Sequence, residues 1–264
     1  MAVSPPATEV VVVGSEQEAV AAFADGGELT VIAGGTIVVP AMTLGHLRPE
    51  RVLMLAGAGL TGVAREGGRT TIGAMTPVGD LEDLPSPLGD AARHVADPEV
   101  RSQATLGGNL CAPPGVESPR GDLQAALIAL GAQVRSAGSD GEQTQAVEDF
   151  LAAGPDGRLV LDVSFADPEA GARASVRRPH AHAYTILGVC VARTADGVRI
   201  GVSGASPHAT RCRAAEEAFA GGDAEAAAAR VLEDVQPADD ALASAWYRSK
   251  TLPVLVRRAL TDLT

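Results

Sequence analysis

Two glycine pairs, each opening a short polar loop after an apolar run, constrain this chain most. They are Val31-Ile32-Ala33-Gly34-Gly35-Thr36 and Ala104-Thr105-Leu106-Gly107-Gly108-Asn109. A glycine pair at the end of a strand can hold φ > 0 and keeps Cβ atoms away, so successive backbone N–H groups can point into one concavity. Such a nest binds an anion without lysine or arginine. Two nests brought together by the fold would grip both phosphates of a dinucleotide. Neither loop has the spacing G-x-G-x-x-G or G-x-x-x-x-G-K-[ST], which sets aside the Rossmann and P-loop readings. On this view Gly108 needs φ > 0 or a close approach to phosphate. A β-branched residue there, as in Gly108→Val, is expected to empty the site.

The pattern around the loops is mixed. Val10–Val13 reads as a buried strand, and Ser15 with Glu18 as a capping box opening a helix that stops at Gly26-Gly27. Leu29–Ala33 is a strand that feeds the first glycine pair. Short strands are expected at Val52–Leu55, Leu60–Ala64 and Thr70–Ala74, with Gly67-Gly68 as a hairpin turn. Helical spacing follows at Leu88–Val95 and Leu123–Leu130, then strands at Gln133–Ser136 and Leu159–Ser164. The small, polar stretch Ala166–Ala172 marks a boundary. Beyond it, strands at Tyr184–Arg193 and Val198–Ser203 flank the turn Asp196-Gly197, and helices including Ala224–Leu232 close the chain. Strands followed by grouped helices give an α+β class.

Composition excludes several functions. A formal net charge of −12 repels nucleic-acid phosphates and anionic lipid. No apolar run is long enough to span a bilayer. The N-terminus lacks a basic segment followed by an apolar core, so a cytoplasmic location is expected. Cys111, Cys190 and Cys212 are widely spaced and form no C-x-x-C, so this chain alone cannot ligate an iron–sulfur cluster. Cys111 is read as a small buried hydrophobe despite its place near the second loop. His180 and His182 share one face of a strand but have no third ligand at recognisable spacing, so no metal site is expected.

The second loop continues as Leu110-Cys111, then Ser118-Pro119-Arg120-Gly121-Asp122-Leu123, then Gln124-Ala125-Ala126-Leu127-Ile128-Ala129-Leu130-Gly131-Ala132. This resembles the T-[LI]-G-G-N-[LI]…S-P-x-x-D-L…L-x-A-L-x-A signature of the FAD-binding subunit of molybdenum hydroxylases, the family of carbon monoxide dehydrogenase medium subunits and xanthine dehydrogenase. The first loop resembles that family's A-G-G-[TQH] motif, followed by Pro40-Ala41-Met42. Thr71-Ile72-Gly73-Ala74-Met75-Thr76 is similar to its I-G-A-x-x-T turn. Arg177-Arg178, Gly204-Ala205-Ser206-Pro207 with Arg211, and Tyr247-Arg248 with Leu255–Leu260 resemble its C-terminal domain. Departures are the extra Pro113–Glu117, Ile37 where relatives often carry a polar residue, and Pro179–Tyr184 where an acidic residue is usual.

The resemblance implies an α+β fold of the p-cresol methylhydroxylase and vanillyl-alcohol oxidase FAD-binding type. Residues 1–166 would be the FAD-binding domain, made of two small αβ subdomains split near 57, and 175–264 a C-terminal α+β domain. The cofactor is FAD. The implied contacts are Ala33, Gly34, Gly35, Thr36 and Ile37 from the first loop, and Thr105, Leu106, Gly107, Gly108 and Asn109 from the second. Asp122, Leu159 and Tyr184 complete the set. Asp122 can instead cap the following helix, and both roles can coexist. No protein side chain is expected to be catalytic, since the flavin carries the chemistry. The implied partners are an iron–sulfur subunit and a molybdenum-cofactor subunit of one heterotrimeric complex, with NAD or another electron acceptor outside it. Two rivals remain: a stand-alone FAD-dependent oxidoreductase, and a flavin-less assembly subunit that keeps the fold.

Overall fold

The first αβ unit is built around a sheet that only a crossover can make. In a computed structural model, which describes residues 8–25, 28–113, 121–155, 157–177 and 185–263, the chain opens with β1 (Glu9–Val12), α1 (Glu16–Ala24), β2 (Leu29–Ile32), α2 (Val38–Thr43) and β3 (Arg51–Met54). The strands lie in the order β1-β3-β2, all parallel, and parallel neighbours need connections of this length. α1 begins where expected, with the Ser15 hydroxyl accepting the Glu18 amide. The Glu18 carboxylate reaches one residue further than a capping box requires, taking the Gly14 amide at 2.7 Å. The expected stop at Gly26-Gly27 lies outside the described residues, as do the stretches Pro114–Arg120 and Arg178–Tyr184.

A five-stranded antiparallel sheet follows, from β4 (Val63–Glu66), β5 (Arg69–Gly73), β6 (Gln133–Gly138), β7 (Gly141–Ala146) and β8 (Leu159–Ala166), in the order β4-β5-β8-β6-β7. Gly67 and Gly68 turn the first hairpin with φ of 58° and 74°, the left-handed pair that matches strand twist. The strand expected from Leu60 starts only at Val63, although the Leu60 and Gly62 carbonyls accept the Met75 and Gly73 amides and continue the same register toward the loop. β7 was not foreseen: Gly141-Glu142-Gln143-Thr144 is exposed along an edge and has no apolar alternation to betray it.

Between β5 and β6 run α3 (Leu88–Ala92), α4 (Pro98–Gln103), α5 (Leu106–Leu110) and α6 (Gln124–Ala129), and α7 (Val147–Ala153) joins β7 to β8. Every residue of α6 is buried. One face of the helix serves the core of the five-stranded sheet and the other lies against a third sheet, so no side is left for water.

That third sheet is β9 (Ala170–Arg177), β10 (Thr185–Thr194), β11 (Gly197–Ser203) and β12 (Thr210–Arg211), antiparallel in the order β12-β11-β10-β9. It packs on α8 (Arg213–Phe219), α9 (Ala224–Arg230) and α10 (Ala245–Thr261). The stretch Ala166–Ala172, expected to mark a boundary, is a three-residue connection between the ends of two strands. β8 runs to Ala166 and β9 starts at Ala170, while Asp167 and Glu169 amides bond the Gly68 and Arg193 carbonyls. β9 escaped notice because Ala-Gly-Ala-Arg-Ala-Ser has small residues where strand signals are usually β-branched. α10 shows a plain apolar stripe of Leu252, Leu255, Val256, Ala259 and Leu260. Arg248 joins it, 2% exposed, with its guanidinium on Asp240 at 2.6 Å and on the Ile186 and Gly204 carbonyls.

α6 crosses β11 so closely that Gly201 touches the backbone of Ala125. A Cβ there would overlap the Ala125 carbonyl oxygen. Beside this crossing, Glu148 of α7 receives Arg199, Arg211 and Arg213 at 3.2–3.3 Å, tying the two sheets at their surface. Gly201→Ala should therefore force α6 off the sheet at a cost of about 1–3 kcal/mol. Urea unfolding should show a lower midpoint with an unchanged slope, and an unchanged midpoint would mean the crossing has slack.

Candidate cofactor site

The first glycine pair meets its expected form. β2 ends at Ile32, Gly35 takes φ +74°, and α2 starts three residues later. The amides of Gly34, Gly35, Thr36 and Ile37 have no acceptor among the described residues. These four residues are half-buried, so the donors are open to a partner from outside the chain.

The second pair is a different object from the one expected. Thr105 is the N-cap of α5, and its hydroxyl oxygen accepts the Gly108 amide at 3.1 Å. The Leu106 and Gly107 amides bond the Thr76 and Ala74 carbonyls at 3.0 and 2.8 Å. These donors are spent within the protein, and neither Gly107 nor Gly108 has positive φ. Glycine is needed here for approach. A Cβ on Gly107 would stand 3.0 Å from both the Cβ and the carbonyl oxygen of Ala74. Gly108 faces Ala33 of the first loop, 3.9 Å from an added Cβ, so valine at 108 would crowd the gap between the loops without straining φ.

The two loops touch. A Cβ on Gly34 would overlap the carbonyl oxygen of Gln103, at the last residue of α4. Between and beside the loops lies a cavity of about 740 Å³, well within the range of cofactor sites. Ala33, Gly34, Gly35, Thr36, Ile37, Thr105, Gly107, Gly108, Asn109, Asp122 and Leu159 all line it. Leu106 does not; it is fully buried in the core beneath α5. Tyr184 lies outside the described residues.

The polar lining is mostly neutral. The Asn109 side-chain oxygen accepts the Leu123 amide at 2.9 Å, which leaves its NH₂ group as a donor for the cavity. Asp122 lines the cavity next to α6, whose N-cap residue is the apolar Leu123. Among the described residues the lining holds a single cation, Arg158. That guanidinium is already bonded to Ser136, Asp140 and the Gly141 carbonyl.

The sequence reading missed the apolar part of the wall. Phe23 of α1, Leu29 and Val31 of β2, and Val95, Val100 and Cys111 line it as well. Their strand and helix periodicity predicted burial, and nothing in it separates a core face from a cavity wall. The remaining cysteines are not lining residues: Cys190 and Cys212 are buried, and burial pushes both thiols up, Cys190 to about 11. No three metal-ligating side chains gather among the described residues. Among them also, no helix is long and apolar enough to cross a membrane.

This geometry matches a known family. Residues 6–165 match the model described as the FAD binding domain in molybdopterin dehydrogenase, and residues 172–263 match the CO dehydrogenase flavoprotein C-terminal domain. The 6-hydroxypseudooxynicotine dehydrogenase complex subunit alpha of Paenarthrobacter nicotinovorans is 28% identical over 284 residues, covering 97% of this chain and 94% of that one. The carbon monoxide dehydrogenase medium chain of Hydrogenophaga pseudoflava is also 28% identical, covering 97% and 96%. The solved carbon monoxide dehydrogenase from that organism, in a form lacking the Mo-pyranopterin moiety of its molybdenum cofactor, superimposes with a TM-score of 0.85 over 99% of this chain and 98% of that one. The chain belongs to the FAD-binding subunit family of the molybdenum hydroxylases, and it is an FAD-dependent oxidoreductase subunit.

The loop contact yields a prediction. Gly34→Ala must part the first loop from Gln103, and FAD affinity should fall at least about tenfold, or ~1.4 kcal/mol. Fluorescence titration with FAD checks this, and far-UV circular dichroism should stay at the wild-type level.

Proposed function

We propose that this chain is the electron-transfer subunit of a molybdenum-dependent hydroxylase complex, standing between an iron–sulfur partner and an external electron acceptor. In this reading a separate molybdenum subunit oxidises the substrate. The observation that carries the cofactor half is the run of unclaimed amides from Gly34 to Ile37 beside a cavity with no free cation among the described residues. A pyrophosphate fits that chemistry, since neutral N–H donors can satisfy its oxygens without lysine or arginine.

The residues would divide the work of binding and orientation. Gly34, Gly35, Thr36 and Ile37 would donate backbone amides to phosphate, and the Thr36 and Thr105 hydroxyls and the Asn109 NH₂ would add side-chain donors. Asp122 would accept from sugar or ribityl hydroxyls. Ala33, Leu159, Phe23 and Val31 would exclude water from the flat, apolar parts of the cofactor. Gly107 and Gly108 would contribute by absence, letting α5 sit close to Ala74 and Ala33. The flavin itself supplies exchange between one-electron and two-electron carriers, so the protein needs no acid–base pair. Residues 1–166 would form the cofactor domain, and 175–264 the domain that meets partners. Support for the division is that the lining, among the described residues, comes from positions up to Val160.

Absence of a thiolate cluster supports dependence on a partner for electrons. Relatives called medium chains or subunits of complexes agree with that role. The isolated chain, titrated with FAD, should gain the two-band flavin absorbance and be stabilised by about 2.7 kcal/mol at a hundredfold excess over Kd. It should not oxidise the complex's substrate alone. With its iron–sulfur and molybdenum partners added, the flavin absorbance should bleach on addition of substrate. Turnover by the isolated chain would favour the stand-alone oxidoreductase. No response to FAD would favour the flavin-less assembly subunit.

A further inference from the structure

The C-terminal sheet lines no part of the cavity among the described residues, yet one buried side chain connects the two. Gln124, the first residue of α6, is 3% exposed and uses both ends of its amide. Its nitrogen donates to the Leu110 carbonyl at 2.8 Å, at the last residue of α5. Its oxygen accepts the Ala209 amide at 3.3 Å, in the loop between β11 and β12. A tie of this kind needs one donor and one acceptor on a single short group, and glutamine supplies both. The position is shaped for it: a Cβ on Gly121 would overlap the Gln124 amide, so glycine there leaves room for the side chain.

We propose that Gln124 is a positioning residue for the FAD site. It anchors the end of α5 to the Ala209 loop, so that the C-terminal sheet fixes where Thr105 and Asn109 stand against the cofactor. This rests on reading the cavity as the place where FAD binds. Thr105 caps α5 and Asn109 lies within it, both within five positions of Leu110; the start of this short helix is fixed by the Thr76 and Ala74 carbonyls, and the Gln124 tie fixes its end. Asn109 is held in parallel by the Leu123 amide, so the start of α6 grips α5 at two adjacent residues. Cutting the Gln124 tie leaves a buried carbonyl and a buried amide without partners, and α5 can relieve that only by moving. The link runs both ways. Whatever steadies α5 must steady the Ala209 loop, and a partner that displaced that loop would loosen the cofactor.

Hydrogen exchange on the full wild-type chain tests the link without a mutation. Added FAD should slow exchange in a peptide covering Gly34–Val38, which reports occupancy of the cavity, and also in one covering Ser206–Ala209, which lies outside it. Gln124→Met keeps the length of the side chain and removes both hydrogen bonds. It should raise the Kd for FAD about tenfold. At saturating FAD it should keep protection at Gly34–Val38 and lose the FAD-dependent protection at Ser206–Ala209. A lowered melting temperature with unchanged FAD affinity would make Gln124 a mere core residue and overturn the proposal. So would wild-type protection confined to Gly34–Val38. Failure of FAD to protect Gly34–Val38 would instead remove the cavity reading on which the proposal stands.

Discussion

The contact between Gly34 and the Gln103 carbonyl is the constraint on which the rest of the site depends. Two backbones separated by about seventy residues meet there with no side chain between them. The parallel sheet presents the first loop, the hairpin and helices after β5 present the second, and the cavity is the space left around their junction. A side chain at that point would widen the junction between the two loops. The architecture outward from this contact serves to hold it. α5 is stitched to Ala74 and Thr76, α6 is pinned under β11, and Glu148 gathers three arginines at the outer seam.

An acidic chain that holds a doubly charged phosphate pair faces an electrostatic problem. Lysines in the cavity would solve it, but at the expense of placing fixed cations near a redox centre. In the proposed site the donors would be peptide groups, whose dipoles act at short range and would leave the net charge of the lining close to neutral. Arg158 shows the same economy. It lies at the wall, but its guanidinium is occupied in holding β6 to the turn after it.

Much of this was legible in the residues. The Ser15–Glu18 cap, the Gly67-Gly68 turn and the strand before Gly34 have local causes, and each formed where those causes lie. The glycine pairs pointed to one place, and the structure brings both to one cavity. What they do there was half legible. Gly35 has the left-handed backbone that a nest requires, whereas Gly107 and Gly108 are helical. The Thr105 cap that makes them so has no glutamate three residues on to announce it. β7 and β9 were illegible for opposite reasons, one too polar and one too small in its side chains. Gln124 was hidden most completely, because its partners are backbone atoms at Leu110 and Ala209 that only the tertiary fold brings near.

The burial of Cys190 and Cys212 bears on how long such a subunit survives its own chemistry. Reduced flavins leak electrons to dioxygen, and the peroxide that results attacks thiolates rather than thiols. With its thiol pushed up to about 11 by burial, Cys190 stays protonated at neutral pH. Cys212 is pushed in the same direction by burial beside Asp234 and Glu216. Both sulfurs sit in the core of the fold and are chemically quiet there, so the packing that stabilises the C-terminal sheet also shields it from oxidative wear.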